Sequence, residues 1–293
     1  MNFVNDDLAV HSGARVLYTP PPQVPILAPD DSQPPAKVIN LSKKVIATIP
    51  IFGRHELVKL TISRLLNRNG CHAVVCSGGE EDRKVCEDAG AVYVNASNEY
   101  LGAKWNAAFM KARRLKADAV LFMGSSDWVS DNWIPTLLPH IDKYDMVGKA
   151  GCYFLDIKGP KYKSYSNIPK LFPVDYRLVY WPGYKYGSYK DDGRRDTESI
   201  GIGRLLSASG LDKVSWQPFH DHLNNSLDYN MFKRIRNNKI IFDANIKALS
   251  ISTDKWSNKH KFSDHWEGRC PSKRILDAHG YCKKWFPEYN KII

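Results

Sequence analysis

Between residues 44 and 124 the chain alternates between two hydrophobic periods. Four short apolar runs, KVIATIPI (44–51), HAVVCS (72–77), AVYVN (91–95) and AVLFM (119–123), read as strands, the last buried on both faces. The segments between them space their apolar residues by three and four. His55–Asn67 sets Leu57, Leu60, Thr61 and Leu65 on one stripe, and Gly70 ends it. Residues 80–88 form a short helix with acids in its first turn, and residues 101–115 align Leu101, Trp105, Phe109 and Ala112. Strands alternating with helices predict parallel pairing through right-handed crossovers. The expected fold class is therefore α/β, a mostly parallel central sheet flanked by helices.

The pattern then loosens. Gly124-Ser125-Ser126-Asp127 is a small polar turn, followed by a helix-like segment after Asp131 and a short amphipathic stretch at 133–141. Residues 145–157 (DMVGKAGCYFLDI) look like strand material. Residues 199–209 (SIGIGRLLSAS) are rich in small side chains and let backbone approach a ligand closely. Leu227, Met231 and Ile235 give 227–235 helical spacing, and KIIF (239–242) and KALSI (247–251) are short strands. Residues 1–41 form an arm in which Pro20, Pro21, Pro22, Pro25, Pro29, Pro34 and Pro35 exclude regular helix and central strand. Residues 42–157 make the nucleotide-side region of the domain, and 158–293 its acceptor-side and C-terminal region.

Composition narrows the class of partner. The 293 residues carry a formal net charge of +11, which favours anionic partners without choosing among nucleotides, nucleic acid and acidic membrane surfaces. Residues 158–195 hold nine Lys/Arg against three Asp, interleaved with seven Tyr and Trp181. Such a segment can follow a nucleic-acid backbone and stack on bases, or be an ordinary solvated hairpin. The six cysteines show no CxxC and no zinc spacing, as in a chain from a reducing compartment. No apolar run has membrane-spanning length, and the start lacks the features of a signal peptide. The expected location is the cytoplasm, at a membrane surface or, for a viral protein, inside the host. Neither GxGxxG nor GxxxxGK[ST] is present, which weakens the dinucleotide and phosphate-loop readings.

Asp127 is the chemically suggestive residue. A carboxylate just past a buried strand, where ligands of open α/β sheets bind, can hold a divalent cation against a nucleotide diphosphate. It can equally cap the following helix.

The order of parts resembles the family 2 glycosyltransferases of the GT-A fold, a Rossmann-like architecture. VIATIPIFGR looks like their opening strand and turn, LGAKWNAA (101–108) their Gly-x-x-x-x-Asn helix start, and LFMGSSDW the position of their acidic metal motif. GIGRLLS and LDYNMFKRI are similar to their acceptor segment and to the helix presenting the base. The resemblance covers roughly residues 42–255. It implies an inverting, metal-dependent transfer of a sugar from a nucleoside-diphosphate sugar, a UDP-sugar first, to a hydroxyl. Pro50, Phe52 and Arg54 would line the nucleoside pocket, and Ser77 and Gly78 would contact the base. Lys104 and Asn106 would sit near the diphosphate or sugar. Asp127 would hold Mn²⁺ or Mg²⁺, and Asp228 would be the general base.

The departures define the open points. Gly124 and Ser126 stand where the family has further acids, so His265 or His260 would complete a metal shell. Leu227-Asp228 replaces the usual Glu-Asp pair, which leaves Asp221 and Glu198 as rivals for the base. Asp228 also reads as a solvated acid at a helix start, and His265 as a satisfied histidine. The acceptor implied by the basic segment is a polyanion: a hydroxymethylated base in DNA or a cell-envelope glycan. Two other readings compete. A nucleotidyltransferase would carry a Gly-rich basic loop where this chain has IPIFGR, and a non-catalytic nucleic-acid or glycan binder would have lost the metal acids.

Overall fold

The computed structural model describes residues 42–157, 176–181, 199–225, 227–243, 245–253, 282 and 284–288. The proline-rich arm, most of the basic insertion, Glu198, His260 and His265 lie outside the described residues. Among the described residues no helix is long and apolar enough to cross a membrane.

The first half is built as the periodicities require. β1 (Val45–Pro50), α1 (His55–Asn67), β2 (Ala73–Gly78), a 3-10 turn (Glu80–Asp82) with α2 (Arg83–Asp88), β3 (Val92–Asn95), α3 (Leu101–Arg114) and β4 (Ala119–Phe122) follow one another. β1 pairs in parallel with β2 and β4, and β2 with β3. The apolar runs are near-continuous because both faces are covered. Val45, Ala47 and Ile49 of β1 meet α1 on one face, while Ile46 joins Trp105, Phe109 and Ala112 of α3 on the other. Each fully buried aliphatic or aromatic side chain contributes about 1.5–3 kcal/mol.

The second half departs from simple alternation. β5 (Asp127–Val129) follows the 124–127 turn, ahead of α4 (Trp133–Leu137). The 145–157 stretch is two strands, β6 (Met146–Lys149) and β7 (Cys152–Ile157), in different sheets. They separate at Gly151, whose φ of 74° turns the chain out of the first sheet. β8 (Tyr176–Trp181), β9 (Arg204–Ser207), α5 (Ala208–Asp212), α6 (Leu227–Arg234), β10 (Asn238–Ile241) and β11 (Ala248–Thr253) complete the described elements.

The main sheet has seven strands in the order β10-β6-β9-β4-β1-β2-β3, and the smaller has four, β5-β11-β7-β8. β9 is antiparallel to both neighbours. The segment before it therefore lies at the edge where β1, β2 and β4 end. The smaller sheet closes over Leu57 of α1 with Trp128, Leu249 and Ile251, and Phe286 seals the cluster.

Candidate active site

The site forms at the carboxyl-end rim of β1 and β4, and three loops build it. The first is the β1–α1 turn. Arg54 holds a left-handed φ of 55°, a strained setting for a side-chain-bearing residue. The turn is braced from below. The Gly53 N–H donates to Asp82 Oδ1 at 3.3 Å, and His55 Nε2 meets the same oxygen at 2.7 Å. Lys104, itself buried, donates from Nζ to the Ile51 carbonyl and to Asn98 Oδ1. Phe52 stays 55% exposed at the tip, with Lys104 Nζ 5.6 Å from its ring centroid.

The second loop is 124–127. Asp127 begins a strand and caps no helix, which removes the capping alternative: its Oδ2 accepts the Gly124 N–H at 3.0 Å. A Cβ on residue 124 would lie 2.5 Å from that oxygen, so only glycine lets the carboxylate fold back this way. Arg54 Nη1 donates to Ser126 Oγ at 3.0 Å, tying the first loop to the second. Burial raises the Asp127 carboxyl to about 6, against the pull of Ser250, the Gly124 N–H and Arg54, and the Asp228 carboxylate pushes in the same direction as burial.

The third loop, 199–203, is held by Arg204, which is fully buried. Its Nη2 donates to the Ser199 carbonyl at 2.7 Å and its Nε to the Ile200 carbonyl at 3.1 Å. Its Nη1 lies 3.3 Å from Asp228 Oδ1. A Cβ on Gly201 would stand 2.6 Å from that same Oδ1. The small residue there is what lets the first turn of α6 bring its acid to the rim. Two acids 101 positions apart in the sequence thus come close enough to act on one another, at side chains that are only partly covered.

The other anticipated residues fall in different places. Pro50 ends β1 opposite Ser77 of β2. The Ser77 hydroxyl is buried, with no hydrogen-bond partner among the described residues. Gly78 is buried too, and its carbonyl accepts from Tyr93 Oη. Asn106 is turned to internal work. Its Nδ2 donates to the Phe219 carbonyl at 2.9 Å and to Asp221 Oδ1 at 2.7 Å. The Leu101, Gly102 and Ala103 N–H groups that open α3 are taken by Asn224 Oδ1 and the carbonyls of Leu223 and Asp221. Asp221 therefore belongs to the loop that closes this helix start. Asp82, Arg204, Ser126 and Ser250 were not singled out from sequence. Of these only Arg204, a charge inside the apolar run IGRLLS, carries a visible signal.

Among the described residues no group of three or more His, Cys, Asp or Glu is placed to hold a metal ion. Asp127 does not make a divalent cation site by itself, since its carboxylate is already engaged by the Gly124 N–H and Ser250 and is faced by the Arg54 guanidinium.

No family model matches the chain, and no curated protein does. Among solved structures, S. aureus TarS 1-349 superposes with a TM-score of 0.45 at 11% identity, over 71% of this chain and 60% of that one. The inositol-1-phosphate CTP transferase of T. maritima gives 0.44 at 14% identity, over 74% and 93%. The 4-diphosphocytidyl-2C-methyl-D-erythritol synthase of Anaerococcus prevotii gives 0.39 at 15%, over 68% and 87%. This chain thus spans well under two thirds of the TarS fragment. Likeness this distant transfers no residue role.

Proposed function

We propose that the chain transfers a sugar from a nucleoside-diphosphate donor to a hydroxyl acceptor, with inversion. The observation that carries this reading is the convergence of Asp127, Asp228 and Arg54 at the rim where β1 and β4 end, the place where open α/β sheets bind ligands.

The exposed Phe52 face offers a stacking surface for a base, and Pro50 the wall beside it. Asp228 takes the proton of the acceptor hydroxyl. That oxygen attacks the anomeric carbon from the face opposite the diphosphate. The bond from the anomeric carbon to the phosphate oxygen breaks, and its electron pair leaves with the diphosphate. Arg204 acts on this chemistry through position: buried below the loop, it fixes the Asp228 carboxylate. Asp127, a strand residue on the opposite lip, orients Arg54 and faces the sugar.

Turnover of a panel of UDP- and GDP-sugars, read as release of nucleoside diphosphate, tests the reading. Asp228→Asn should lower turnover by about 10²- to 10⁴-fold while UDP binding changes little. A variant that turns over donor at the wild-type rate would remove Asp228 from the role of base. Absence of nucleoside-diphosphate binding across the panel would remove the donor reading altogether.

A further inference from the structure

We infer that Arg54 and the open start of α1 together take the charge of the departing diphosphate, the task a divalent cation performs in a metal-dependent site. This rests on the nucleoside-diphosphate reading above and goes further, because it makes donor binding independent of metal.

Three observations converge. The first is that Arg54 spends little of its hydrogen-bonding capacity. A guanidinium has five N–H donors, and among the described residues this one makes a single hydrogen bond, from Nη1 to Ser126 Oγ. The Arg54 side chain is half-buried, so its charge is less screened than a surface arginine's. Its fork is suited to two oxygens of one phosphate at once.

The second is the helix behind it. α1 runs for 13 residues, and its N-cap, Arg54 itself, makes no side-chain cap hydrogen bond. Its first-turn N–H groups have no partner within the helix, and the helix dipole adds a partial positive charge there. Arg54 holds the left-handed region at the junction of the turn and the helix, and its guanidinium reaches Ser126 of the 124–127 loop. Three acids stand near this arrangement. Glu56 is paired with Lys59 at 3.1 Å, Asp82 engages Gly53 and His55 through Oδ1 alone, and Asp127 acts on Arg54 directly.

The third is the state of Asp127. Its carboxylate is committed to the Gly124 N–H and to Ser250, and among the described residues the cation that acts on it is Arg54. A dication set against Asp127 would be pressed against a guanidinium. The diphosphate, arriving between Arg54 and the helix start, instead meets donors already in place. When the bond to the anomeric carbon breaks, the new negative charge on the terminal phosphate oxygen is held by N–H donors. The guanidinium stays protonated throughout, so no proton need be supplied to the leaving group.

The test is calorimetric titration of the full chain with UDP and with uridine, each in excess chelator and again with Mn²⁺. UDP should bind wild type in chelator, with affinity changed less than threefold by Mn²⁺. Arg54→Ala should weaken UDP by about ten- to hundredfold, as expected for lost charged hydrogen bonds, and leave uridine unchanged, which shows that the variant is folded. Arg54→Lys should recover part of the loss. UDP binding that appears only with Mn²⁺, or Arg54→Ala binding UDP as wild type does, would overturn the inference and leave the donor reading standing. A wild-type chain that binds no UDP with or without Mn²⁺ would overturn both.

Discussion

Helix α1 carries an arginine near each end, and the two are used in opposite ways. Arg64, in the last turn, is buried and its donors are matched. Its Nε donates to the Val129 carbonyl at 2.9 Å, its Nη1 to Glu288 at 2.6 Å and its Nη2 to Asp131 at 2.6 Å. Its guanidinium carbon lies 5.0 Å from the Phe286 ring centroid. Arg54, at the other end, is half-buried and its side chain makes one hydrogen bond among the described residues. The difference separates an arginine that holds the fold from one available to a ligand. Arg64 joins helix, smaller sheet and C-terminal segment by satisfying every group it meets. Arg54 retains N–H donors that the described protein does not use.

Substitutions along the same helix sharpen the contrast. Arg64→Ala should cost about 3–5 kcal/mol, because two charged hydrogen bonds of about 1.5–3 kcal/mol each are lost, although Arg68 still pairs with Asp131 and Glu288. Urea unfolding measures it, and nucleoside-diphosphate affinity at temperatures where the variant is folded should stay near that of wild type. A loss of UDP affinity without a loss of stability would erase the distinction between the two ends.

A second buried cation offers a check of smaller size. Burial, with Lys247 adding repulsion, lowers the Lys149 ammonium to about 8. Its described hydrogen bond is to the adjacent Ala150 carbonyl at 3.1 Å. Because the folded-state value lies below the unfolded one, the unfolded chain binds more protons between about 8 and 10.5, and stability rises with pH across that window. Lys149→Met should therefore stabilise the protein at pH 7 by about 2 kcal/mol: the shift represents about 3 kcal/mol at 1.36 kcal/mol per pKa unit, less about 1 kcal/mol for the lost hydrogen bond to Ala150. The gain should shrink as the pH approaches 10. Equal denaturation midpoints at pH 7 would contradict it.

The smallest effect belongs to the outer face of α1. Lys59→Ala removes an exposed pair with Glu56 at 3.1 Å and should shift stability by less than about 0.5 kcal/mol. Together the variants rank positions on and near one helix by how completely each cation is buried and paired. A Lys59→Ala loss as large as that of Arg64→Ala would show that the ranking by burial is mistaken.

Local pattern carried most of the first half. α1 spans the residues that its stripe marked, His55–Asn67. The strands of the 44–124 region fall within a residue or two of their apolar runs, because a strand covered on both faces must be apolar at successive positions. The strand-like 145–157 stretch holds both β6 and β7, and only the turn at Gly151 divides them between sheets. β5 escaped notice because three residues hold too little period to see. Asn106 looked like a ligand contact and is engaged with Phe219 and Asp221 instead.

What the amino-acid order settled by itself is the alternation of strands and helices, the parallel first half, and the presence of an acid just past the fourth strand. These follow from periodicity and from the crossovers it forces. Tertiary structure decided which charges meet: that Asp228 reaches the rim beside Asp127, that Arg204 is spent on holding it, and that Arg64 is saturated while Arg54 is not. Such pairings depend on distances between residues far apart in the chain, and a polar side chain's neighbours are fixed only when the backbone has closed around it.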